Sequence, residues 1–125
     1  MILQIIRRPI QPGTIVLEIK GSLHSGPECA KLAQEVDKLI ADRQTRVIFD
    51  MSGVTHADSA AIGAIVKCFS TLKGVNGALR IACVQPMVDY SLKLTKVDRV
   101  IDIFPSVEQA AQGFSVPDAS PHPQA

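Results

Sequence analysis

A chain of 125 residues has room for one domain with a sizeable core and not for two. Its 46% hydrophobic and 20% charged residues exclude a disordered chain, and 13 basic against 12 acidic residues, with no Trp and no basic run, leave no electrostatic footprint for direct nucleic-acid binding. The apolar runs are only strand-length, and the opening MILQIIRRPI puts its charges after its apolar residues, so neither membrane insertion nor a secretory signal peptide is expected and a cytoplasmic location is.

In chain order, Ile2–Arg7 and Thr14–Lys20 read as strands. In the second, Ile15, Leu17 and Ile19 alternate with Val16, Glu18 and Lys20, the period of a half-buried strand. The turn-rich Pro9-Ile10-Gln11-Pro12-Gly13 between them suggests an antiparallel connection. Ser25-Gly26-Pro27-Glu28 has capping-box spacing, and Cys29, Leu32, Val36, Leu39 and Ile40 then line one helical face as far as Ala41. Arg46–Met51, with Val47, Ile48 and Phe49 at its centre, reads as a buried strand that Gly53 is expected to break.

Asp58 sits where an N-cap belongs, ahead of an apolar face at Ile62, Ile65, Val66, Phe69 and Leu72. Lys73-Gly74-Val75-Asn76-Gly77 ends that helix, and Ala78–Val84 follows as a strand. Pro86 opens a short helix, expected to turn Met87, Tyr90 and Leu94 inward. Val100–Phe104 is the last strand, and Ser106, with Gln109 three residues on, caps a final helix. Helices alternating with strands predict a mixed sheet in which residues 46–51, 78–84 and 100–104 are parallel and buried. From Gly113 the chain holds three prolines and two serines and reads as a flexible tail.

The chemistry-bearing residues are few. Ser59 falls in the first helical turn, where amides lack intrahelical partners and the helix dipole favours an anion, so a phosphate there is well placed. His56, Asp58 and Ser59 are near in sequence but lack the G-x-S-x-G context of a nucleophile elbow, and no catalytic role is expected. His24, His56, Asp50 and Asp58 have no recognised metal-ligand spacing, His122 lies in the tail, and Gly74-x-x-Gly77 is a turn rather than a phosphate loop. Neither a metal nor a cofactor is therefore expected. Cys29, Cys68 and Cys83 have no C-x-x-C spacing and read as reduced, mostly buried thiols.

Asp50-Met51-Ser52-Gly53-Val54 followed by Asp58-Ser59-Ala60-Ala61-Ile62-Gly63 resembles the core signature of STAS domains. That family includes bacterial anti-sigma-factor antagonists, which carry a DSSGLG-like segment after a central strand. The resemblance also takes in Gly21-Ser22-Leu23, then Gly74–Val84, Leu94–Val100 and Phe104–Ala111, so that a STAS domain over residues 1–112 precedes a tail over 113–125. It implies an α/β fold, a STAS-like mixed sheet of four to five strands with about four helices packed against it, and no enzymatic activity. It also implies partner switching in transcription regulation: the unphosphorylated form binds an anti-sigma factor with serine kinase activity and releases a sigma factor, phosphorylation at Ser59 switches this off, and a phosphoserine phosphatase acts on the product. Partner contacts are expected from Leu23, His24, Ser25, Asp58, Ser59 and Ile62. Two departures stand out. The family often has Ser or Thr followed by Gly where this chain has Ala60-Ala61, and antagonists often have Gly-x-Leu-Asp where it has Gly21-Ser22-Leu23-His24. The family also admits an adaptor or scaffold in stress-signalling or transport-associated complexes, or a sensor of a nucleotide or lipid.

Overall fold

The computed structural model describes residues 3–24 and 26–114. The element order is β1 (Gln4–Gln11), β2 (Thr14–Leu23), α1 (Pro27–Ala41), β3 (Arg46–Ala57), α2 (Ser59–Lys73), β4 (Ala78–Ala82), α3 (Pro86–Leu94), a 3-10 turn at Val97–Arg99, β5 (Ile103–Phe104) and α4 (Val107–Ala111). The strands form one sheet in the order β1-β2-β3-β4-β5. β1 pairs antiparallel with β2, and the remaining pairs are parallel. The expected mixed sheet with four helices is therefore the observed architecture.

Two clusters cover the two faces of the sheet. Ile15, Leu17 and Ile19 of β2 and Val47, Phe49 and Met51 of β3 meet the buried residues of α1, α2 and α3 in the larger cluster. Val16, Ile48 and Ala82 point the other way, onto Ala110 of α4 and Phe114. This second cluster is why β2 is buried on both sides over Thr14–Leu17, where simple alternation predicts a half-buried strand. Phe114, assigned to the tail from sequence, is 6% exposed, and the Arg80 guanidinium lies 4.2 Å from its ring centroid.

Several expected boundaries move. β1 runs through Pro9 to Gln11, leaving only Pro12-Gly13 as the turn, and Pro9 is tolerated because β1 is an edge strand. β3 continues six residues beyond Met51, so Gly53 does not end it. Between Glu18↔Asp50 and Lys20↔Gly53 the third strand holds one residue more than the second, which is a bulge. A Cβ on Gly53 would lie 2.7 Å from Lys20 Cγ and 3.2 Å from the Ile19 carbonyl oxygen, so glycine is what lets β2 stay close to β3 there. β4 stops at Ala82, two residues early, and β5 is only Ile103–Phe104.

The helix starts and faces bear the same comparison. α1 is capped at Gly26, whose φ of 90° suits a glycine, without a side-chain cap; the expected cap at Ser25 lies outside the described residues. Its buried face, Leu32, Val36 and Leu39, is the expected one, with Cys29 and Ile40 partly buried beside it. α2 buries Ile62, Ile65 and Leu72 as expected, with Ala61 and Cys68 in addition. Ser106 Oγ accepts from the Gln109 amide at 3.1 Å, so α4 starts with its expected cap.

α3 is turned over relative to expectation. Val88 and Leu92 are buried, while Met87, Tyr90 and Leu94 are 67%, 64% and 67% exposed. The segment PMVDYSLKL carries two possible apolar stripes, and helical spacing does not choose between them. The chain beyond it decides: Val97 and Ile101 must enter the core, and only the Val88–Leu92 stripe continues onto them.

Candidate functional site

The last pairs of the β2–β3 ladder are Ser22↔His56 and Leu23↔Ala57, and the Asp58 amide donates to the Leu23 carbonyl at 3.3 Å. The β2–α1 connection and the start of α2 therefore meet at one end of the sheet, where parallel strands deliver their carboxyl ends. Asp58 has extended backbone and is the N-cap of α2. Its Oδ1 accepts from the Ala61 amide at 2.8 Å. The capping carboxylate satisfies one of the unpaired first-turn donors and sits at the favourable end of the helix dipole.

Ser59 is the first residue of α2 and is exposed, as is Ala60, while Ala61 and Ile62 are buried. Of the expected contact residues, the structure brings His24, Asp58 and Ser59 together at the surface. His24 Nδ1 lies 3.7 Å from Asp58 Oδ2, and both side chains are about half-exposed. Leu23 and Ile62 lie beneath them in the larger core cluster and anchor the loop and the helix start rather than facing outward. Ser25 is outside the described residues.

The loop bearing His24 is tied down from below. Cys29 Sγ donates to the His24 carbonyl at 2.9 Å. Burial, then the nearby Asp58 and Glu28 carboxylates, push the Cys29 thiol above its ordinary range, so it remains a protonated donor. Across the site, Gln85 Nε2 donates to the Ser52 carbonyl at 2.7 Å and holds the start of α3 against β3.

A cleft of about 220 Å³ opens between the two sides, with His24, His56 and Asp58 on one wall and Met87, Val88 and Ser91 of α3 on the other. His56 and Met87 belong to this surface, and sequence reasoning missed both. The apolar spacing of α3 turns Met87 inward, and the residues around His56 suggest only a triad or a metal ligand. No sequence signal identifies either, because their proximity depends on how α3 is rotated. Among the described residues no group of three or more His, Cys, Asp or Glu side chains is arranged to hold a metal ion, and no helix is long and apolar enough to cross a membrane.

The family model for the STAS domain matches residues 6–110. The chain belongs to the STAS family. The signature residues of that domain are those that build the site: Asp50–Val54 form the bulged part of β3, and Asp58–Gly63 form the first turns of α2. Among solved structures, this STAS domain is similar to a proposed anti-sigma factor antagonist from Thermotoga maritima, with 19% identity, a TM-score of 0.80 and coverage of 88% of this chain and 93% of that one. An anti-sigma factor antagonist from Mycobacterium paratuberculosis gives 18% identity and a TM-score of 0.76, with 90% and 93% covered. The unphosphorylated form of the antagonist SpoIIAA gives 16% and 0.67, with 88% and 96% covered. At these identities the likeness is one of fold. No curated protein sequence matches the chain.

Proposed function

We propose that this STAS domain is an anti-sigma-factor antagonist whose unphosphorylated form binds an anti-sigma factor with serine kinase activity and thereby releases a sigma factor. Phosphorylation of Ser59 ends the interaction, and a phosphoserine phosphatase restores it. The observation that carries this reading is the placement of Ser59: an exposed hydroxyl on the first residue of α2, beside the capping Asp58 and on the rim of the cleft end of the sheet. A kinase can reach it without unfolding anything.

The switch needs only local charge. A phosphoserine adds roughly −1.5 to −2 charges near pH 7. Within the free domain, the first-turn amides and the positive end of the dipole of α2 accommodate that charge, so the fold is kept. At an interface the dianion must be desolvated beside Asp58 and against any acidic group of the partner. Two unit charges 4 Å apart at an effective dielectric near 20 interact by about 4 kcal/mol, roughly a several-hundredfold change in affinity. His24 stands where antagonists often have an acid, so this chain selects a partner whose complementary group does not require a fixed negative charge there.

The direct test is intact-mass analysis and peptide mapping after incubation with ATP and the cognate kinase, followed by binding measurements on two variants. One added phosphate at Ser59, retained binding by Ser59→Ala and lost binding by Ser59→Asp are the expected results. No modification by a verified active kinase, or equal binding by the two variants, would remove the switch. The chain would then be an adaptor held in a stable complex irrespective of charge at Ser59.

A further inference from the structure

The pole of the domain opposite Ser59 carries a second cavity, of about 420 Å³, at the amino-terminal ends of β3 and β4 and the carboxyl-terminal end of α2. Ser59 and Lys73 are the first and last residues of α2, so roughly 20 Å of helix at 1.5 Å per residue separates the two sites. Three cations line the cavity, Arg46, Lys73 and Arg80, against one carboxylate, Asp102. Elsewhere, Arg7, Arg8, Lys38 and Lys93 each have a carboxylate within 4.0 Å, whereas Lys20, Lys31, Arg43, Lys67, Lys96 and Arg99 have none among the described residues. The three cations of this cavity likewise have none among the described residues.

Two of the cations are already held in place. Arg80 donates through Nη1 to the carbonyls of Ala110 and Gln112, at 2.8 and 3.0 Å, and its guanidinium lies 5.5 Å from the Phe104 ring centroid and 4.2 Å from that of Phe114. Arg46 donates to Thr14 Oγ1 at 3.2 Å and to the Pro12 carbonyl at 3.1 Å. Each guanidinium therefore keeps donors that no described protein group uses, in a geometry fixed before any ligand arrives. Little rotamer entropy is then lost on binding. Lys73 is exposed, and its ammonium lies over the Phe69 ring at 5.9 Å.

The carboxyl-terminal end of a helix ordinarily repels an anion. Here the chain folds back on that end. The carbonyls of Ser70, Leu72 and Lys73 accept from Gly74, from Val75 and Gly77, and from Asn76 respectively, so much of the exposed negative end is neutralised by amides. The remaining lining mixes the polar Asn76 with apolar side chains, Phe69 and Val100 nearer solvent and Leu79 buried. The volume lies in the range of small organic ligands and exceeds what an inorganic ion requires.

We propose that this cavity binds a small organic phosphate, its phosphate group taken by Arg46, Lys73 and Arg80 and its apolar body lying against Phe69 and Val100. No bond is made or broken, and the site is independent of the phosphorylation at Ser59.

The test is a titration of the full chain with phenyl phosphate, followed by amide chemical shifts and calorimetry, with inorganic phosphate and phenol as separate arms. Saturable shifts are expected at Lys73, Asn76, Gly77 and Arg80, with tighter binding of phenyl phosphate than of inorganic phosphate and no saturation with phenol. Removing one charge-assisted contact by Lys73→Ala, at an exposed position the fold does not need, should weaken phenyl phosphate about tenfold. Arg46→Gln, folded by its amide spectrum, serves as the second variant, with a loss in the same direction. Non-saturable shifts, shifts spread over every basic surface residue, or unchanged affinity in Lys73→Ala would overturn the proposal.

Discussion

α2 and α3 each follow a parallel strand and run back along the same side of the sheet, yet they answer to different constraints. α2 has fifteen residues and lies between α1, β3 and β4, so its apolar face is decided over four turns. α3 has nine residues and packs mainly on β3 and the 3-10 turn that follows it. Its outer face keeps Met87, Tyr90 and Leu94 in solvent while a two-residue stripe makes the attachment. A long helix in the middle of a layer shows its orientation in its own periodicity. A short one at the edge takes its orientation from where the chain goes next.

The comparison can be broken at its strongest point first. Leu72→Ala leaves a cavity under the last turn of α2, where Leu72 is fully buried, and should cost about 2–5 kcal/mol in a urea unfolding experiment. Leu92→Ala should fall in the same range because Leu92 is equally buried. If instead Leu94→Ala costs more than Leu92→Ala, the observed rotation of α3 is wrong. Asp58→Ala removes the N-cap bond to the Ala61 amide and should lower stability by about 1 kcal/mol, with Asp58→Asn recovering most of it.

The smallest stability effects are the most useful for function. Ser59→Asp should change unfolding free energy by no more than about 0.5 kcal/mol while abolishing partner binding, because an anion suits the helix start but not an interface. Met87→Ala and Tyr90→Ala should likewise leave stability within about 0.5 kcal/mol. Met87 shares the cleft with His24 and Asp58, so its truncation should weaken binding of the proposed anti-sigma partner in a calorimetric titration, and Tyr90→Ala, outside that cleft, should weaken it less.

Part of the site was legible because it is built from local chemistry. An aspartate before an apolar 3.6-residue pattern defines a helix start, and the first-turn position of Ser59 follows from Asp58 alone. Gly53 was misread for a physical reason: a glycine in a strand ends it or marks a bulge, and only the register of β2 against β3 distinguishes the two. Leu23 and Ile62 were placed at the right end of the sheet, but their exposure depended on packing that no spacing reports. Phe114 looked like tail because its neighbours in sequence are polar and Pro-rich. It is buried because it packs beside α4 on the second face of the sheet, with the Arg80 guanidinium over its ring.

By itself, the sequence determined the class of the fold, the order of its elements, the caps of α2 and α4 and the serine presented at the start of α2. These rest on interactions between residues a few positions apart, which the amino-acid pattern records directly. The tertiary structure alone decided the bulge at Gly53, the rotation of α3, the cleft that joins Met87 to His24 and Asp58, and the gathering of Arg46, Lys73 and Arg80 at the far pole. Each of those depends on contacts between segments distant in the chain, where side-chain packing and strand register, rather than local periodicity, set the free energy.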